Sequence, residues 1–228
     1  MVPISGDEHN ELILTKNKHC FRDSMETESS DKSNKMAFVI GYTGETGKSL
    51  IQELNRRKLF KKIVLIGRRE VQMDKDLGPE FEQKVVDFER LTEHKDTFQD
   101  LDIGFCCLGT TKGKAGKAGF IKVDHDYVVN SAEVAKSVGC KHFLLVSSYG
   151  AKKDSFFLYP KTRLLLCDRE ESRPGESCFR CCWKPMPQCI VKASAISTDN
   201  LAIGMVYKAT HPSKKVEIIE NKQIYDLI

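Results

Sequence analysis

The stretch GYTGETG at 41–47 places glycine at every third position. Glycine accepts backbone conformations and close approaches that a Cβ forbids, so this spacing can fold a turn whose amides face a phosphate. Gly41 would permit the tight turn, Gly44 would let a pyrophosphate approach the backbone, and Gly47 would let a following helix pack close to the strand before it. The amides of Thr43, Glu45 and Thr46 would then point at the anion, helped by the positive end of the helix. Such glycines also serve purely structural turns, so the flanking elements decide between the two uses.

Two further sites complete a nucleotide-binding pattern. Gly67, Arg68 and Arg69 stand where an acidic residue would take the ribose 2′-hydroxyl of NAD. Two guanidinium groups there suit the 2′-phosphate of NADPH, through bidentate charge-assisted hydrogen bonds; a pair of solvated surface arginines is the plainer alternative. Asp87 lies where a carboxylate could meet the adenine amino group, or where a loop would carry any acid.

These residues need a scaffold, and the apolar runs supply it. MAFVIG (36–41), KIVLIG (62–67), QKVVDF (83–88), DIGFCCLG (102–109) and FLLVSS (143–148) read as five strands buried on both faces. KSLIQELNRRKLF (48–60) places Leu50, Ile51, Leu54 and Leu59 at helical spacing, and DHDYVVNSAEVAKSVGC (124–140) predicts a second helix ending near Gly139. Strands alternating with helices predict an α/β fold: a Rossmann-type doubly wound parallel sheet in a single domain. The polar residues 1–35 predict a disordered extension, with a short amphipathic stretch near Leu12 to Leu14. Residues 36–228 form the domain, with its cofactor part at 36–165 and a degenerate part at 166–228. In that last third, CFRCCWKPMPQC (178–189) has no period, LAIGMVYKA (201–209) predicts a helix, and KVEIIE (215–220) a strand or short helix.

Composition narrows the function classes. A hydrophobic fraction of 40% with 30% charged residues is that of a soluble globular protein, and a net charge of +4 with interleaved signs gives no electrostatic case for nucleic acid. Nine cysteines without a secretory signal predict a reduced, intracellular setting, and no apolar run reaches the roughly 18 residues of a membrane span. Cys178, Cys181, Cys182 and Cys189 lack a second well-spaced ligand pair, so no metal is assigned. Cys106 and Cys107 read as core, and His94, His125 and His142 receive no role. TTKGKAGKAG (110–119) reads as a flexible solvated loop.

Across residues 36–177, GYTGETG, LIGRR, VVDF, FCCLGTTKGKAG, KHFLLVSS and LLCDREESRPGE together resemble the atypical short-chain dehydrogenases/reductases, with a weaker echo in VEIIENKQIYDL. That resemblance implies a Rossmann fold, bound NADPH and oxidoreductase activity on an unspecified small molecule. It also implies a regulatory role in growth or apoptosis through nuclear import receptors, in the cytoplasm, the nucleus or at the nuclear envelope. Ser147 and Ser148 match the family's catalytic serine and Tyr159 its tyrosine, while Leu108, Gly109, Tyr159, Leu165 and Arg173 match positions beside the cofactor.

The family's tyrosine is followed four residues later by lysine. A phenol of pKa about 10 needs a nearby ammonium to exchange a proton near neutrality. Here Tyr159 is followed by Pro160, Lys161, Thr162 and Arg163, and LLLCDRE begins at once. In the family that segment lies beyond the catalytic helix and the next strand, so the resemblance implies that about twenty residues, one helix and its return strand, are missing after Tyr159. Lys161 or Arg163 is then left to supply the cation.

Overall fold

A computed structural model describes residues 33–73, 75–147, 196–212, 217 and 219–227. Strand β1 (Ser33–Ile40) buries Ala37, Phe38, Val39 and Ile40 completely, on both faces, as the continuous apolar run requires. It begins inside the stretch expected to be disordered, because Ser33 pairs with Phe60 and extends the ladder. Helix α1 (Glu45–Arg57) turns Leu50, Ile51 and Leu54 inward and stops at Lys58, which takes a left-handed conformation (φ 51°) and donates its amide to the Leu54 carbonyl at 3.0 Å. The expected helical Leu59 therefore joins the core from outside the helix.

Strand β2 (Phe60–Gly67) and strand β3 (Phe81–Val85) follow, then short 3-10 turns over Phe88–Phe98 and strand β4 (Ile103–Cys106). Helix α2 (Lys112–Ile121) passes through one π-type turn, Lys122–Asp126, into helix α3 (Tyr127–Ser137), and strand β5 (His142–Leu145) follows. Helices α4 (Thr198–Thr210) and α5 (Asn221–Leu227) complete the described elements. All neighbouring strands pair in parallel in the order β3-β2-β1-β4-β5, so the direction of winding reverses between β1 and β4.

Helices α1 and α4 cover one face, where Leu50, Leu54, Ala202, Val206 and Ala209 meet Ala37, Val39, Leu65 and Phe105. The 3-10 segment and α3 cover the other, with Phe88, Leu91, Phe98, Val134 and Ala135 against Phe38, Ile40, Val64 and Ile66. This is a single Rossmann-like, doubly wound sheet.

Several boundaries differ from the apolar runs. Strands β3, β4 and β5 end at Val85, Cys106 and Leu145, because the chain peels away at the carboxyl edge while single amides such as Val86 N–H to the Gly67 oxygen (2.9 Å) extend the ladder. TTKGKAGKAG is helical from Lys112 rather than a loop. The Thr111 side chain caps it by accepting from the Lys114 amide, and buried Phe120 anchors its far end, although Gly116 (φ 68°) interrupts it. LAIGMVYKA extends to thirteen helical residues, capped by Ser197 accepting from the Asn200 amide at 3.1 Å. Within KVEIIE, none of the described residues 217, 219 and 220 lies in a helix or strand. Among the described residues no helix is long and apolar enough to cross a membrane, and no acid, histidine and cysteine cluster could hold a metal.

Candidate nucleotide site at the carboxyl edge of the sheet

The turn GYTGETG joins β1 to α1 at the point where the winding reverses, the place where open α/β sheets bind ligands. Its glycines have three different duties. Gly41 has φ 80°, and a Cβ there would lie 2.6 Å from the Cys107 carbonyl carbon. A Cβ on Gly47 would stand 2.4 Å from the Gly41 oxygen and 2.5 Å from the Tyr42 Cα, so the helix can approach the turn only with glycine there.

Gly44 is different. A Cβ there would meet only the Gly41 oxygen, at 3.5 Å, so the protein's own packing does not require glycine at this position. Gly44 caps α1 without a side-chain hydrogen bond, leaving the positive helix end to an outside acceptor. Thr43 is exposed and Glu45 half-buried beside it, and Thr46 is buried in the first turn. The residues present therefore fit a pyrophosphate.

Arg68 and Arg69 follow β2 directly, both exposed, and neither forms an ion pair among the described residues. Behind them lies a contact that the sequence did not reveal. The Tyr42 ring packs under Gly67, where a Cβ would come within 2.9 Å of its Cε1, and its hydroxyl donates to Gln83 Oε1 at 2.7 Å. Gln83 accepts the Val71 amide at 2.9 Å and donates from Nε2 to the Val71 carbonyl at 2.8 Å. Burial first, then the Glu70 carboxylate, push the Tyr42 phenol above its ordinary pKa, so it remains a donor. Gln83 stands between Glu82 and Lys84 in a half-buried edge strand, so nothing in the local sequence marks its amide as needing these partners.

Asp87 lies two residues past β3, but its carboxylate is already engaged. It accepts the Glu89 amide at 2.9 Å and Arg90 Nε at 3.2 Å, and these two contacts hold it below the usual carboxylate range. Glu89 is held in turn by Lys122, at 2.6 Å, and by the Tyr127 hydroxyl. On the other side of the turn, half-buried Leu108 and exposed Gly109 follow β4. The next amide, Thr110 N–H, donates to Asp124 at 2.8 Å, and Thr111 caps the following helix by its side chain.

Ser147 is exposed, two residues past the end of β5. Ser148, Tyr159, Leu165 and Arg173 lie outside the described residues, as do Lys161, Arg163 and Cys178, Cys181, Cys182 and Cys189. Burial pushes the Cys106 thiol up to about 11, which makes it core rather than nucleophile. Burial and the Lys35 charge hold the His142 imidazole below its ordinary value, so it stays neutral at the amino end of β5, away from this site.

Comparison with known proteins gives the family and the fold. Residues 41–166 match the NAD(P)H-binding family. Protein HTATIP2 of Rattus norvegicus is 42% identical over 216 residues, taking in 85% of this chain and 89% of that protein. Protein FMP52-1, mitochondrial, of Scheffersomyces stipitis is 33% identical over 124 residues, and the match spans 54% of this chain and 54% of that protein. Among solved structures, a mutated uronate dehydrogenase superposes with a TM-score of 0.51 at 16% identity, covering 79% of this chain and 70% of that one. A mutant uronate dehydrogenase from Agrobacterium tumefaciens complexed with NAD gives 0.51 at 16% identity, covering 78% and 73%; likeness at this level speaks to the fold. With a family match over more than half its length and a relative this similar over most of both chains, the protein belongs to the NAD(P)H-binding family, among the relatives of Protein HTATIP2.

Proposed function

We propose that this chain binds NADPH along the carboxyl edge of the sheet and acts as a short-chain oxidoreductase-like protein with a regulatory role. The observation that carries the reading is the glycine turn, where Gly41 and Gly47 are demanded by the protein's own packing and Gly44 is not. In this reading Thr43, Gly44, Glu45 and Thr46 face the pyrophosphate, and Arg68 and Arg69 take the 2′-phosphate. Asp87 uses its remaining lone pairs for the adenine amino group, and Leu108 and Gly109 flank the dinucleotide with Leu165 and Arg173. When bound, the cofactor supplies a hydride to an acceptor carbon. Ser148, with Ser147 beside it, orients a carbonyl by hydrogen bonding, and Tyr159 delivers the proton to its oxygen. Titration of the chain with NADPH and NADH tests the binding half: equal affinity for the two removes the case for NADPH.

A second reading is favoured by Pro160 and Arg163, which stand where the reductase pattern needs a helix and a lysine. The 216-position match to rat HTATIP2 takes in 85% of this chain, about 194 residues, so roughly 22 positions of the match have no counterpart here, consistent with a missing segment. Under this reading the chain senses NADPH and acts through protein partners, with nuclear import receptors the class implied by the family resemblance, in the cytoplasm or at the nuclear envelope. NADPH oxidation across a panel of carbonyl compounds, beside a pull-down of import receptors with and without NADPH, separates the two. Turnover supports the enzyme, and NADPH-dependent capture without turnover supports the regulator.

A further inference from the structure

Resting on the NADPH reading, we infer that Gln83 and Tyr42 are positioning residues that set the preference for a 2′-phosphorylated cofactor. Gln83 lies on β3, opposite Leu65 of β2, and its side-chain amide grips the Val71 backbone through both its donor and its acceptor. The grip reproduces the hydrogen bonding of a paired strand at a point where the chain has already left the sheet. Its oxygen also receives the Tyr42 hydroxyl, and that hydroxyl lies 3.5 Å from the Arg69 carbonyl oxygen. The Tyr42 ring fills the space that a side chain at residue 67 would occupy, which ties Gly67 to this arrangement.

The consequence is geometric. Arg68 and Arg69 sit between two fixed points, the end of β2 at Gly67 and the clasped Val71. Tyr42 belongs to the glycine turn, so the clasp joins the pyrophosphate cradle and the arginine pair into one unit and fixes the separation at which two phosphates can be held. Bidentate recognition of a phosphate by guanidinium depends on position as well as charge, and a group left loose by its supporting contacts loses most of its worth. NADH has no 2′-phosphate, so its binding does not draw on the position of this loop.

The test uses the full chain with Gln83→Leu, which removes the grip at similar volume, and Tyr42→Phe, which keeps the ring under Gly67 and removes only the hydroxyl. Affinities are measured for NADPH, NADH and 2′,5′-ADP, a probe carrying the 2′-phosphate without the nicotinamide. Gln83→Leu is expected to weaken NADPH and 2′,5′-ADP about ten-fold and Tyr42→Phe about three-fold, with NADH held within about two-fold in both. Amide hydrogen exchange over residues 68–71 is expected to rise in the cofactor-free Gln83→Leu chain, and thermal unfolding identifies a variant that has failed to fold; Tyr42→Phe then carries the test. Equal weakening of NADPH and NADH, or an unchanged ratio, overturns the inference by making the clasp merely structural. A parallel Arg68→Ala, Arg69→Ala chain separates the two levels. If the unmodified chain prefers NADPH, the arginine variant loses that preference and Gln83→Leu does not, only the inference falls; if the unmodified chain shows no preference, the NADPH reading falls and takes the inference with it.

Discussion

At the amino edge of the sheet a single aspartate ties three strands together, while at the carboxyl edge β1 runs into Gly41 and β2 ends on Gly67 before two exposed arginines. Asp102 accepts the Met36 amide of β1 at 3.0 Å and the Lys141 ammonium at 2.7 Å through its carboxylate. Its backbone donates to the Met36 carbonyl at 2.8 Å and accepts the amides of Lys141 and His142 at 2.9 and 3.2 Å. Every polar group of this residue has a partner, and such satisfied networks hold a structure rigid. At the opposite edge Gly44 caps its helix without a side-chain hydrogen bond, and Arg68 and Arg69 stand exposed. Polar groups without protein partners are affordable only at a surface or where a ligand completes them. The contrast separates an end whose polar groups are satisfied within the protein from an end whose helix start and arginines are left open.

The sharpest way to break the contrast is Gly44→Val. The first atom of the new side chain meets nothing closer than the Gly41 oxygen at 3.5 Å, and Gly44 already has an extended conformation (φ −81°, ψ 165°) open to valine. Cofactor affinity should fall by about 3 kcal/mol or more, on the order of a hundred-fold, because the side chain stands in the path of the pyrophosphate. Calorimetric titration measures this, and a scan of the cofactor-free chain should show a Tm within a few degrees of the original. Next in size comes Arg68→Ala with Arg69→Ala, expected to remove about 2 kcal/mol of the proposed preference for NADPH over NADH. Both residues are exposed, so stability should not follow.

How much of this was legible in the sequence depends on which force shaped each element. The central strands were legible because a parallel strand buried on both faces must be continuously apolar, as Ala37–Ile40 and Ile63–Ile66 are. Strand β3 was harder, since FEQKV is half-exposed at the sheet edge and its Gln83 serves a tertiary contact with no sequence neighbour. The glycine-rich stretch after β4 misled for a physical reason: four glycines from 109 to 119 disfavour a helix, yet the Thr111 cap and buried Phe120 outweigh them. Asp87 was singled out by position alone, and its work as a cap for the following turn could not be read, because capping depends on where β3 stops. Tyr42 was hidden inside the motif that drew attention to its glycines.

The amino edge can be broken separately. Asp102→Ala leaves the Met36 amide and the Lys141 ammonium without their acceptor, and should cost about 1.5 kcal/mol of stability. Urea unfolding measures the loss. Cofactor affinity in the folded variant should be unchanged, because the substitution lies at the opposite ends of the strands. A fall in affinity as large as that of the arginine variant would mean that the two edges are coupled through the sheet.

The smallest expected effect is the dependence of that network on pH. The Lys141 hydrogen bond first, then the Met36 amide, hold the Asp102 carboxyl below the usual carboxylate range, while partial burial works weakly in the other direction. A carboxyl whose pKa is lower folded than unfolded contributes stability that is fully present above its unfolded value, about 3.9, and is lost as pH falls through the folded value. Lys141 remains charged throughout this range, since its own pKa is raised by the same partner. The Asp102 side chain is 21% exposed and Lys141 77%, so solvent screens the pair and the contribution should stay below about 1 kcal/mol. Unfolding free energies measured from about pH 6 down to pH 2.5 should therefore fall slightly more steeply in the original chain than in Asp102→Asn, which keeps the shape and an acceptor but cannot titrate. Parallel curves for the two would show that the amino edge is held by the hydrogen bonds alone, with no share from the charge.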